Sequence, residues 1–240
     1  MNPSDRQSRF ATTHWTAVLA AGQEDASRAR VAMGRLCQAY WYPLYAYVRR
    51  RGYSGADAED LVQGFFARVM ELHSLAQVRR EKGKFRSFLL AAMNHYLADE
   101  WDKASAAKRD VRRTVALDAR EAETRYGREA ADRDSPERLF ERQWALALLE
   151  TVVLRLRAEY DAAGKGEVFM ALRFAISVER NAAPYADLAG KLGMSELAVR
   201  VAIHRLRQRY RRVLREEIAQ TVASPGEVED ELSTLIRALG

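Results

Sequence analysis

"PYADLAGKLGMSELAVRVAIHRLRQRYRR", Pro184 to Arg212, is the stretch on which the fold turns. Val199, Ile203, Leu206, Tyr210 and Val213 recur at steps of four and three, which is one apolar stripe on a helix of 3.6 residues per turn. Around that stripe stand Arg200, Arg205, Arg207, Arg209, Arg211, Arg212 and Arg215, with no acid between the first and the last. Upstream, Pro184 suits a first helical turn, Leu188, Ala189 and Leu192 supply an apolar side, and Gly193 is a natural C-terminal stop. Ser195 can then N-cap the next helix. The sequence therefore predicts a short helix, a tight turn and a longer helix with one core face and one cationic face.

Seven arginines on one helix either face solvent or meet a polyanion. Two helices joined by a tight turn with glycine form the helix-turn-helix pattern, whose second helix lies in the major groove with its N-terminal residues on base edges. On that geometry Arg200, His204 and Arg205 stand near the bases, Ser195 at the helix start is a further residue on the same DNA element, and Arg207, Arg209, Arg211, Arg212 and Arg215 stand near phosphates, which position without specifying. Two-helix turns also serve as plain packing units, so the rest of the chain has to decide.

Its charge points the same way. Thirty-nine Lys and Arg against 33 Asp and Glu leave a net charge of +6 in 240 residues, and the pI is near 9.5, which favours nucleic acid or an anionic surface as partner. No apolar run reaches membrane-spanning length, and "MNPSDRQSRFATTHW" lacks the apolar core of a signal peptide, so a soluble cytoplasmic protein with no membrane partner is expected. Cys37 is the one cysteine, which excludes an internal disulfide and a cysteine-built zinc site; simple burial is expected for it. His14, His73, His95 and His204 have no metal-ligand spacing, and "GKGEVF" lacks the spacing of a phosphate loop. No catalytic residue, metal or cofactor is expected. No segment alternates with period two, so the fold class is all-α.

From the N-terminus, Thr12 or Thr13 caps a short helix with Trp15, Val18 and Leu19. A second helix runs from about Ala26 to Tyr40, and Pro43 breaks the chain before a third, Leu44 to Arg51. Gly52 and Gly55 bracket a turn into "DAEDLVQGFFARVMEL", whose stripe is Leu61, Phe65, Val69 and Leu72, with Asp57, Glu59 and Asp60 in the first turn. A basic loop then leads to a helix from Phe85 to about Lys103 that buries Phe85, Phe88, Leu89, Ala92, Met93 and Tyr96. Residues 104–135 are polar and read as a linker with fragments of helix. Pro136 opens a long amphipathic helix, Val168 to Val178 is helical, and the two-helix unit follows. Ser224, Pro225 and Gly226 separate a short acidic tail.

At "DAEDLVQGFF" the chain resembles the bacterial RNA polymerase sigma factors of the extracytoplasmic-function (ECF) class, two helical domains called regions two and four on a flexible linker. Asp57, Ala58, Glu59, Asp60, Leu61, Val62, Gln63, Phe65 and Phe66 match the family's acidic-Leu-Val-Gln-aromatic helix. "KFRSFLLAAMNHYLADEWDK" is similar to its next helix, and "YADLAGKLGMSELAVRVAIHRLRQRYRR" to its helix-turn-helix. The resemblance covers about residues 28–103 and 137–215.

It implies a region 2-like domain over 1–103, a linker over 104–135, a region 4-like domain over 136–221 and an added acidic tail over 222–240. It implies that Asp57, Glu59, Asp60 and Gln63, off the apolar stripe, form an acidic and amide surface for the clamp coiled coil of core RNA polymerase. It implies that Arg79, Arg80, Lys82, Lys84 and Lys103 hold the backbone of melted promoter DNA and that Trp101 stacks on a base. His95 stands where many members have Asn, with Asn94 one place earlier, so either reads the captured base. Partners are then core polymerase and double-stranded and melted promoter DNA, with an anti-sigma factor or other regulator a further candidate. The rival function is a helix-turn-helix regulator that never touches polymerase; a helical enzyme would need a constellation the sequence lacks. The tail, with Val228, Leu232, Leu235, Ile236 and Leu239 as its stripe, is too short to be a stable lone helix and is expected to dock on the second domain, its acids near the Arg200 to Arg215 face, where it would restrain DNA binding by the free protein; a merely solubilising tail is the alternative.

Overall fold

The computed structural model describes residues 26–71, 84–106, 123, 124, 126, 135–176 and 185–240. The helix expected near Thr12, the side chain of Cys37 and the basic residues Arg79, Arg80 and Lys82 lie outside what is described. The fold is all-α: α1 (Ala26–Arg50), α2 (Gly55–Glu71), α3 (Phe85–Ala106), α4 (Pro136–Ala162), α5 (Gly166–Leu172), α6 (Tyr185–Leu192), α7 (Glu196–Ala219) and α8 (Val228–Leu239). Among the described residues, strand-like pairing is limited to one isolated antiparallel bridge, Lys84 with Val222.

α1 differs from the expectation, because the chain runs through Pro43 as one helix. Proline in a helix interior costs about 3 kcal/mol. Tyr40, Leu44, Tyr45, Tyr47 and Val48 around it are at most 1% exposed, and burial of Leu44 and Val48 alone returns about 1.5–3 kcal/mol each. The packing therefore outweighs the lost hydrogen bond. Gly52, at φ 99°, ends the helix in a conformation that other residues rarely adopt.

The chain divides into two compact units, one up to Ala147 together with Ile218–Gly240, the other Leu148–Glu217. In the first, Tyr40 meets the Phe85 ring edge-on at 5.0 Å and Tyr47 meets Phe140 at 6.3 Å, which ties α1, α3 and the start of α4 around one core. Part of the stretch expected as a linker is held to α1. Glu123 accepts hydrogen bonds from Tyr45 Oη at 2.6 Å and Arg49 Nε at 2.9 Å, and the Arg49 guanidinium lies 4.8 Å from the Tyr126 ring centre. Hydrogen bonds from Arg49 and then Tyr45 hold the Glu123 carboxyl below its usual range.

The acidic tail also docks, but not where the sequence placed it. Phe85 N–H donates to the Thr221 carbonyl at 3.0 Å, and a 3-10 turn at Pro225–Glu227 leads into α8. There Glu231, fully buried, accepts from Arg86 Nε at 2.6 Å and pairs with Lys84 Nζ at 2.9 Å. Arg86 also reaches Glu141 at 2.7 Å and stands 5.1 Å over the Trp144 ring. The correction has a simple cause: Leu235 and Val222 find an apolar seat in the first unit, and Glu231 finds two cations there, the buried Arg86 and the half-buried Lys84. Burial alone would depress the Arg86 guanidinium, yet Glu231 and Glu141 hold it above its usual value.

In the second unit, Val152, Leu156, Phe169, Leu172, Leu188, Val199, Ile203 and Leu206 are buried. Of the helix expected over Val168 to Val178, the described part is α5, continued by a 3-10 turn at Arg173–Ala175; residues 177–178 lie outside what is described.

Candidate nucleic-acid interface

On α7 the local sequence builds the geometry directly. Gly193 sits at φ 61°, and the Met194 N–H reaches back to the Ala189 carbonyl at 3.0 Å, closing α6. Ser195 then opens α7: its Oγ accepts from Ala198 N–H at 3.2 Å and its carbonyl accepts from Val199 N–H at 3.0 Å. Val199, Ile203, Leu206 and Val213 face inward as expected, and Tyr210 is half-buried, its phenol pushed up by that burial.

Outward, the arginines separate into two groups. Arg200, His204, Arg205, Arg211 and Arg212 are exposed, and Arg200 lies 5.1 Å over the ring of Tyr185, which steadies it at the mouth of the turn. Arg209 instead belongs to the unit's own electrostatics: its Nε and Nη2 bond Glu159 at 2.7 and 2.5 Å, and Nη1 bonds Glu216 at 3.3 Å. Hydrogen bonds from Arg209 hold the Glu159 carboxyl low. Arg207 is exposed, with its Nε donating to the Ala175 carbonyl at 2.9 Å. Arg155 bonds Glu217 at 2.7 Å and also meets Glu216. The expectation that Arg209 faces phosphate is therefore corrected: four- and seven-residue spacing showed its face, but not the acids opposite.

On α2, Ser54 is the cap, its Oγ accepting from Asp57 N–H at 3.2 Å and donating to the Asp57 carboxylate at 2.6 Å. Ala58, Val62, Phe65, Phe66 and Val69 form the buried face. Asp57 and Asp60 are exposed and Gln63 is half-buried. Glu59 is a correction: it is only 5% exposed and accepts from Gln63 Nε2 at 3.1 Å, so it does not belong to an outward acidic surface.

On α3, Phe85, Leu89, Met93 and Leu97 are buried, whereas Phe88, Ala92 and Tyr96 are intermediate. Asn94 and His95, left open by the sequence, occupy different surroundings. Asn94 Oδ1 accepts from Tyr47 Oη at 2.7 Å and from Arg51 Nη1 at 2.6 Å, while His95 is exposed. Trp101 is 67% exposed, an unusual position for so large an apolar ring. Lys103, also exposed, reaches Glu100 at 2.8 Å. Lys84 is turned toward Glu231, so of the cations expected before α3 the described one is held by the tail.

Sequence reading missed Arg86, Glu123 and Glu231, which organise the first unit through contacts 55 to 147 residues apart. Among the described residues no group of His, Cys, Asp and Glu could hold a metal ion, and no helix is long and apolar enough to cross a membrane.

Residues 36–107 match the model of the family described as sigma-70 region 2. No curated protein and no solved structure matched the chain. The match runs from within α1 through α2 and α3, the elements that carry Asp60, His95 and Trp101. It supports a sigma-70 family factor, a non-enzymatic class that acts with core RNA polymerase in promoter recognition.

Proposed function

We propose that the chain is a sigma factor of the ECF type, acting in the cytoplasm. The outward face of α2, with Asp57, Asp60 and Gln63, docks on the clamp coiled coil of core polymerase. α3 and the basic residues before it hold the melted minus-ten element, with His95 reading the captured base, Trp101 stacking and Arg79, Arg80, Lys82 and Lys103 on the backbone. The α6–turn–α7 unit acts as a helix-turn-helix on the minus-thirty-five element, with Ser195 at the start of the recognition helix, Arg200, His204 and Arg205 near bases and Arg207 and Arg211 near phosphate.

The observation that carries this reading is the region 2 match over 36–107, because that stretch holds both the acidic face of α2 and the exposed His95 and Trp101 of α3. The exposed acids support a protein partner there, since carboxylates on a chain of net charge +6 repel DNA but suit a basic protein surface. The same match weighs against a regulator that never touches polymerase. Asp60→Arg, with Gln63 kept in place as the donor to the buried Glu59, is expected to abolish co-purification with core polymerase while free-DNA binding and helicity stay unchanged. Undiminished co-purification would sink the assignment.

A further inference from the structure

The side chains that reach furthest outward at the start of α7 are apolar. Leu197 is 72% exposed and Val201 41% exposed, whereas every other exposed residue of the helix is charged or polar. At about 100° per residue, the two stand within about 30° of straight away from the buried Val199, Ile203 and Leu206, one turn apart on the crest of the helix. Arg200 and His204 flank that crest on one side and Arg205 on the other, all three exposed. A single exposed apolar side chain is ordinary. Two on the midline of a cationic face are different, because they hold the positions that enter a partner first.

In a duplex that midline has a defined place. The major groove is about 12 Å wide, close to the roughly 10–12 Å diameter of a helix with its side chains, so the flanks of the helix meet the groove walls and the crest meets the floor. The walls are phosphate and suit the flanking cations, with Arg211 and Arg212 exposed further along; Arg212 also lies 3.9 Å from Glu216. Among the exposed residues of α7 one is acidic, Glu196, so the face as a whole suits a polyanion. The apolar group that a groove floor offers is the C5 methyl of thymine. We propose that Leu197 and Val201 read thymine methyl groups in the upstream element, so that the bound sequence carries T·A pairs beside the guanine that Arg200 contacts. This inference rests on the promoter-binding reading of the α6–turn–α7 unit and adds to it two specificity-determining residues that carry no hydrogen-bonding group on their side chains.

The test lets the full chain enrich sequences from a random duplex pool, and the best-bound duplex is then made with thymine or with deoxyuridine. Deoxyuridine keeps every hydrogen-bonding group of thymine and lacks only the methyl. Affinity is expected to fall about fourfold for each contacted methyl removed. Leu197→Ala/Val201→Ala should bind the two forms equally, because alanine stops short of the floor, whereas Arg211→Ala should bind both more weakly and keep the wild-type ratio between them. Both replaced side chains are exposed and alanine favours helix, so helicity and melting should hold; were the double variant to misfold, Leu197→Ala alone gives the same comparison with a smaller loss of preference. Equal affinity of the wild type for the thymine and deoxyuridine duplexes overturns the inference and leaves the promoter-binding reading standing. Failure to enrich any sequence overturns that reading for this unit, and the inference with it. An undiminished methyl preference in Leu197→Ala/Val201→Ala also overturns the inference, and if the same variant turns a self-associating chain into a monomer, the pair is a contact between copies instead.

Discussion

Neutralising Glu231 should loosen the whole C-terminal segment. The carboxylate is 0% exposed and meets Arg86 at 2.6 Å and Lys84 at 2.9 Å, whose side chains are 11% and 23% exposed. Breaking a buried pair by removing one partner costs about 3–5 kcal/mol, because a charge is left without compensation. Here Arg86 keeps Glu141 at 2.7 Å, Lys84 can turn to water, and glutamine retains one acceptor oxygen, so Glu231→Gln should cost about 2–3 kcal/mol. At about 2–4 °C per kcal/mol for a chain of this size, the melting temperature of the first unit should fall by about 4–12 °C. Far-UV circular dichroism follows the melt, and limited proteolysis near Ser224 reports release of α8. Arg86→Met with Glu231→Leu should recover much of the loss, since an apolar pair needs no compensation. A shift of under about 1 °C for Glu231→Gln, or an equal shift for the exposed neighbour Asp230→Asn, would refute the buried-pair account.

Arg200→Ala should change which upstream sequences are bound, a guanine contact being worth about 1–3 kcal/mol of discrimination, whereas Arg211→Ala should lower affinity for all of them and flatten the salt slope; identical sequence profiles for both variants would show the docking geometry wrong. His95→Ala should impair promoter opening, read by permanganate reactivity, with no change in melting, while Asn94→Ala should cost about 1 kcal/mol through its lost bonds to Tyr47 and Arg51; the opposite pattern would transfer the base-reading role to Asn94. Glu159 is held below the ordinary glutamate value of 4.5 by Arg209, so its contribution is complete above about pH 4.5 and is lost as acid protonates it. Glu159→Gln should therefore lower stability at neutral pH and flatten the acid limb of the second unit's pH profile, and an unchanged acid limb would mean the contact carries no stability.

Which features were legible in the sequence follows from what periodicity encodes. The turn at Gly193 and the cap at Ser195 depend on residues within five positions of one another, and they stand as expected. Pro43 misled because a local rule, the missing N–H, is overridden by a core that assembles from distant elements. The charged residues show the same division more sharply. Asp57, Asp60 and Arg200 lie off the apolar period and are exposed. Glu59, Arg86 and Glu231 lie on it: Glu59 three and seven residues before the buried Val62 and Phe66, Arg86 three and seven before Leu89 and Met93, Glu231 four before Leu235. A charged side chain on a buried stripe cannot stay unpaired, so its place predicts that a partner exists without saying which. Gln63 answers Glu59 from one turn away and was within reach of sequence reasoning. Arg86 and Glu231 answer each other across 145 residues, and only the packing of α8 against the start of α3 brings them together.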